Sequence, residues 1–209
     1  MDTYDLTAAE RVRLANEMDT FEPADWDAAS LCDGWSNHVL LAHLNLPWGM
    51  GVPTIAVNLL KARGNLAKMM DRSSRDLAAR LDPAACLALY REHAADRYSP
   101  PTLGPEAQLT DTIVHGLDLL TPVGRSVDQD PEALRQILAF LLSPAAKRGF
   151  RSIGVDGLAF AATDLDETFG TGAALVRGPA TAIAGGMLGR RVFLDQLEGD
   201  GVAVLAARL

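Results

Sequence analysis

Through the first two-thirds of the chain, apolar residues recur every three or four positions, the spacing of one buried helical face. Thr7-Ala8-Ala9-Glu10 reads as a capping box that opens a first helix running to about Phe21. Pro23 and the polar residues up to Ser30 read as a connection. Ser36 is an N-cap residue for a second helix, on which Val39, Leu40, His43 and Leu44 repeat at helical spacing. Pro47 and Gly49 interrupt it, and Pro53 opens a segment from Thr54 to Met70 with Ile55, Leu59, Leu66 and Met69 on its apolar stripe. Helical pattern resumes over Ser74–Tyr98, with a break at Asp82-Pro83. Three prolines make residues 99–105 an extended arm. Helices are then expected from Glu106 to Leu120 and from Pro131 to Ser143.

The pattern changes after about residue 150. Leu158–Thr163 and Ala174–Arg177 have strand character, and the Asp-, Thr- and Gly-rich segment 164–172 between them reads as a hairpin turn. Gly178-Pro179 starts a helix to about Leu188, and further helical turns follow over Arg191–Leu197. The expected organisation is a helical bundle over 1–147 and a small C-terminal α+β domain over 148–209, with the boundary within 145–153.

Composition narrows the function. The 209 residues are 48% hydrophobic and carry a net charge of −8. An acidic chain without a dense Lys/Arg cluster lacks the electrostatic footprint of a nucleic-acid binder; Lys147–Arg151, the richest basic stretch, reads as a linker. No apolar run reaches the roughly 20 residues of a membrane helix. The acidic start, Met1-Asp2-Thr3-Tyr4-Asp5, is not a signal peptide. A cytoplasmic protein is expected, and a homodimer is compatible with the sequence. Cys32 and Cys86 form no CxxC motif and read as small buried hydrophobes.

Four histidines focus the chemistry. Asp111 and His115 are four apart on one predicted helix, about 40° of rotation, so they share a stripe, and Asp118 falls within about 20° of Asp111. Such a pair is either two facial metal ligands or an ordinary surface contact. His43 lies among apolar neighbours and needs a partner inside the bundle, a metal or a hydrogen-bonding side chain. His38, about 140° round the same helix, is assigned to the surface, and His93, in Arg91-Glu92-His93, to a solvated stretch. Gly170-Thr171-Gly172 lacks the register of a phosphate loop, and no GxSxG elbow occurs.

The segment Asp25–Ser36, ending Cys32-Asp33-Gly34-Trp35-Ser36, followed by Val39–Leu44 and later by Val114-His115-Gly116-Leu117-Asp118, resembles the mycothiol-dependent maleylpyruvate isomerase family. Val155-Asp156-Gly157-Leu158, Val176-Arg177-Gly178-Pro179, Leu188-Gly189-Arg190 and Gly199-Asp200-Gly201-Val202 resemble its C-terminal domain. The resemblance implies a mainly α protein: a DinB-like four-helix bundle followed by a small, sterol-carrier-like α+β domain. It implies a divalent metal, zinc in the first place, held by His43, Asp111 and His115, with Asp118 behind them. The family's acidic ligand is typically Glu, so Asp111 is one methylene shorter. An arginine of the C-terminal domain is implied to bind the substrate carboxylate, with Arg190 the first choice and Arg177 the second.

The activity so implied uses mycothiol. A metal-bound thiolate adds to a cis double bond conjugated to a carbonyl, the single bond rotates, and loss of the thiolate leaves the trans product. The same thiol could instead be transferred to an electrophile. The partners are then a small thiol and a small electrophilic or unsaturated carboxylate. The alternative is a non-catalytic, stress-associated metal-binding bundle. A lipid-carrier role ranks last, because about sixty residues are few to enclose a lipid.

Overall fold

The structure, a computed structural model, describes residues 1–99, 103–126, 128–150 and 153–209, with all side chains of these except those of Val52, Pro53, Ile55 and Arg148. The expectations for Pro100–Thr102 of the extended arm, for Ile55 of the apolar stripe and for Arg151 of the basic stretch lie outside what is described.

The chain divides into two compact units, one of Thr7–Tyr98 with Asp118–Val127, the other of Met1–Leu6, Ser99–Leu117 and Asp128–Leu209. The first holds most of α1 (Thr3–Met18), then α2 (Pro23–Asp27), α3 (Asn37–Leu44), α4 (Leu46–Gly49), α5 (Val52–Lys61), α6 (Leu66–Ala78), α7 (Pro83–Glu92) and the end of α8 (Pro105–Leu120). α3 is its centre, packing against α6 and α7. Leu40, Leu41, Ala42 and Leu44 of α3 are buried with Leu14, Met18, Leu77, Cys86, Leu87, Tyr90, Leu119 and Leu120 in one apolar cluster.

Polar residues at the helix N-termini explain several of the boundaries. Ser36 caps α3 by accepting from the Val39 N–H, and Asp82 caps α7 by accepting from Ala85. α1 starts four residues before the expected capping box. Asp2 accepts from the Asp5 N–H at 2.9 Å and Asp5 from the Asp2 N–H at 3.4 Å, a reciprocal cap one turn upstream. Thr7 and Glu10 are instead buried in the helix. The stretch from Pro23 is a short helix rather than a simple connection, with a capping box between Glu22 and Asp25. The segment expected as one helix from Thr54 to Met70 is two, because Arg63 and Gly64 take positive φ (54° and 77°) and Asn65 caps α6.

Arg11 is fully buried on α1. Its guanidinium donates to the carbonyls of His93, Ala94 and Asp96, just past the end of α7, and lies 4.9 Å from the centre of the Trp48 ring. These carbonyls belong to the turn that follows α7, and by accepting from the guanidinium they offset part of the cost of burying its charge.

The second unit contains most of α8, then α9 (Pro131–Leu142), α10 (Pro144–Gly149), β1 (Leu158–Ala162), β2 (Glu167–Phe169), β3 (Ala174–Gly178), α11 (Ala180–Met187), a 3₁₀ helix (Arg191–Gln196) and α12 (Gly201–Ala206). The two expected strands exist but do not form a hairpin. β1 and β3 pair in parallel, with Phe160 opposite Val176, and the segment read as a turn contains β2, antiparallel to β1 on its other edge. β2 escaped notice because it is three residues long, with Glu167 and Thr168 exposed and no apolar alternation. Gly172 lets the two parallel strands begin side by side, since a Cβ there would stand 2.1 Å from the Gly157 carbonyl carbon. Among the described residues no helix is long and apolar enough to cross a membrane.

Candidate metal centre

α3 presents His43 half-buried beside two polar supports. Its Nδ1 lies 3.3 Å from the Ser74 hydroxyl of α6, and that hydroxyl gives its single proton to the Met70 carbonyl at 2.8 Å. With that proton engaged, Ser74 accepts from the imidazole, which puts the His43 proton on Nδ1. The Trp35 ring packs at 5.1 Å from the His43 ring, tilted by 46°, and its indole N–H donates to Asp71 at 2.7 Å. Trp35 thus fixes the imidazole plane from one side and is itself held from the other. The Asp71 carboxyl lies below its ordinary 3.8 because Trp35 donates to it, with Arg75 adding to the effect and partial burial opposing it.

On α8, Asp111 and His115 face each other across one turn, with Asp111 Oδ1 3.5 Å from His115 Nε2. Ligands about 2.1 Å from a tetrahedral ion stand roughly 3.4 Å apart, so this pair already has the separation of two ligands on one cation. An imidazole and a carboxylate at this separation can serve as two ligands of a borderline divalent ion such as zinc. His43, the third residue expected at the metal, lies on α3 in the other compact unit.

Asp118, one turn further along α8, is fully buried and accepts from the Cys32 thiol at 3.3 Å. The loop that carries Cys32 is tied down. The Leu31 N–H donates to the Asp118 carbonyl, Trp35 N–H closes a turn onto Cys32 O, and Gly34 supplies that turn's positive φ of 74°. Asn37 donates to the Asp25 and Leu119 carbonyls.

The remaining candidates have the following surroundings. Arg190 is half-buried and donates to the Leu188 carbonyl at 2.7 Å. Arg177 pairs with Glu198 at an exposed site. His38, expected on the surface, is half-buried, because its Nε2 meets the Leu81 carbonyl at 2.8 Å. His93 is not simply solvated either, since it stacks flat on Trp48 and pairs with Asp96 at 2.7 Å. Cys86 is buried as expected, its thiol pushed up to about 11 by burial and by nearby Asp82, whereas Cys32 is only half-buried.

The profile described as "Mycothiol maleylpyruvate isomerase N-terminal domain" matches residues 7–120, more than half of the chain. The chain belongs to this family. Two solved structures share its fold. One is the crystal structure of the mycothiol-dependent maleylpyruvate isomerase, 16% identical with a TM-score of 0.60. The other is a histidine-to-alanine mutant of that enzyme, 17% identical with a TM-score of 0.56. Each alignment covers 94% of this chain and 91% of the other. No curated protein matches the chain in sequence. The maleylpyruvate isomerase fold accounts for a mainly α chain that ends in a small three-stranded sheet with helices.

Ser74, Trp35 and Cys32 are the side chains around these ligands that sequence reasoning missed as contributors. Trp35 and Cys32 lie in the family-like segment. Ser74 left a weaker signal, a serine on the apolar face of α6 beside buried Met69 and Leu77.

Proposed function

We propose that this protein is a metal-dependent enzyme that activates a low-molecular-weight thiol, mycothiol, for cis–trans isomerisation of a maleylpyruvate-like acid or for S-transfer to an electrophile. Membership of the maleylpyruvate isomerase family supports the thiol and the reaction class. The observation that carries the reading is the pairing of Asp111 and His115 on one face of α8, with their ligand atoms 3.5 Å apart.

A divalent ion there supplies one thing, a lowered pKa for a sulfur in its fourth position, so that thiolate exists at neutral pH. The protein's own groups do the rest. Ser74 sets the His43 tautomer, and Trp35 fixes the ring. Asp111 provides the single negative charge of the set, so the ion keeps a net positive charge with which to stabilise thiolate. Arg190 is assigned to the substrate carboxylate, for which its guanidinium fork suits bidentate binding.

Metal analysis followed by thiol titration tests this reading. The purified protein should bind one zinc per chain and turn over a maleylpyruvate-like substrate only with mycothiol present, and His115→Ala should abolish metal uptake. Intact uptake in that variant refutes the ligand set. Stoichiometric metal with no thiol binding makes the protein a non-catalytic metal-binding bundle. Product analysis with a cis-unsaturated acid and with an alkylating electrophile separates isomerase from S-transferase.

A further inference from the structure

The hairpin of α5 and α6 runs against the rest of the chain in both charge and polarity. The chain carries a net charge of −8, yet residues 51–70 contain Lys61, Arg63 and Lys68 and no Asp or Glu. All three cations are exposed, and none has an ion-pair partner among the described residues. α5 is also built inside out. Among its described side chains only Asn58 is buried, at 4% exposure, and it donates to the Ser73 hydroxyl of α6 at 3.0 Å. Leu60, about 200° round the helix from Asn58, is 78% exposed, and Val57, one turn before it, is exposed as well. Leu66 continues the stripe of Met69, Ser73 and Leu77 on α6, but it is 60% exposed where they are buried. A helix that is polar inward and apolar outward has its apolar side turned to something other than its own core. We propose that the tip of this hairpin docks on an anionic lipid bilayer surface, with Leu60 and Leu66 at the acyl boundary and Lys61, Arg63 and Lys68 on the lipid phosphates.

Charge and placement select this occupant. α5 ends at Lys61 and α6 begins at Leu66, so the two leucines bracket one turn and the three cations cluster around it. A two-fold contact with a second copy would set these cations against their own counterparts, with no acid in the segment to neutralise them. An anionic bilayer supplies both complements at once: phosphates for the cations and an apolar boundary for the leucines. The long Lys and Arg stems let the charged heads stay at phosphate level while the leucines sit deeper. Docking needs no spanning helix, and the 10 residues of α5 are too few for one. Each cation held at an anionic surface strengthens binding about fivefold, so three together give a factor of roughly a hundred.

Flotation of the full-length protein with vesicles tests this. Wild type should float with vesicles of phosphatidylglycerol and phosphatidylcholine in equal parts, stay behind with phosphatidylcholine alone, and be released from the anionic vesicles as salt is raised. The triple variant Lys61→Gln, Arg63→Gln, Lys68→Gln should partition roughly a hundredfold more weakly. The double variant Leu60→Ser, Leu66→Ser should lose about tenfold through its apolar contacts alone. Every substituted side chain is exposed, so both variants should melt close to wild type. Trypsin gives an independent readout on the unaltered protein: anionic vesicles should slow cleavage after Lys61 and Arg63, and neutral vesicles should not. Wild-type protein that stays behind with anionic vesicles overturns the proposal, and so do folded variants that float as well as wild type. Self-association that the leucine double variant abolishes, with no flotation of wild type, overturns it in favour of a second copy on this face.

Discussion

Ser74 Oγ stands 3.3 Å from His43 Nδ1 while its own proton goes to the Met70 carbonyl, so a serine on α6 fixes the tautomer of a histidine on α3. Ligating histidines whose second nitrogen loses its partner typically lose 10–100-fold in metal affinity. Ser74→Ala should weaken zinc binding by roughly that factor, without changing the stoichiometry at saturation. Competition against a chromophoric chelator gives the number. Equal affinities for wild type and variant would remove Ser74 from the site.

Trp35 links the same histidine to Asp71, and this makes stability depend on pH. The Asp71 carboxyl is held below its ordinary value by the hydrogen bond from Trp35, and Arg75 adds to this. A carboxyl whose folded pKa is depressed contributes stability above its unfolded pKa, and the contribution is lost as pH falls through the folded value. The window therefore opens near pH ~4 and extends downward. The Asp71 side chain is about half exposed, so solvent screens the effect and its size is modest. Asp71→Asn should unfold earlier than wild type at neutral pH, and the gap in melting temperature should close as pH is lowered through this window. A constant gap across the range would show that the charge on Asp71 is not what Trp35 reads.

Much of the bundle was legible because its punctuation is local. Ser36, Asp82, Pro131 and the Ser143-Pro144 pair each announce a helix end within a few residues, and each does so in the fold. The errors came where a neighbour decided. Arg63 takes a left-handed conformation that its residue type does not advertise, which divides one expected helix into two. β2 is a strand only because β1 is beside it, and the parallel pairing of β1 with β3 is a tertiary choice that alternation cannot encode. In the candidate site, the Asp111–His115 contact followed from helical spacing, whereas the tautomer set by Ser74 and the contact of Cys32 with Asp118 depend on elements far apart in sequence.

The two cysteines should differ sharply in reactivity. Cys86 is fully buried, with its thiol pushed up to about 11, so at pH 8 only about one molecule in a thousand carries the thiolate that reacts. Cys32 is half-buried on a loop. Brief alkylation of the native protein should label Cys32 alone, and both residues should be labelled in denaturant. Peptide mapping by mass spectrometry checks this, and early label on Cys86 would mean that the core around α7 opens readily.

Arg11 tests how far a single buried charge holds the bundle together. Its guanidinium meets the carbonyls of His93, Ala94 and Asp96 and lies over the Trp48 ring, which in turn stacks on His93. Replacing it with methionine keeps much of the apolar stem but strands carbonyls that no water reaches easily, at a cost of about 2–4 kcal/mol. Lysine restores the charge without the planar fork, so it can satisfy fewer of the three carbonyls and stacks poorly on the indole. The expected order of urea midpoints is wild type, then Arg11→Lys, then Arg11→Met, with the slope m unchanged. If Arg11→Lys matched wild type, charge alone would suffice and the fork would be irrelevant. If Arg11→Met matched wild type, the carbonyls beyond α7 would have found other donors, and the closure of α7 onto α1 would rest on the apolar cluster alone.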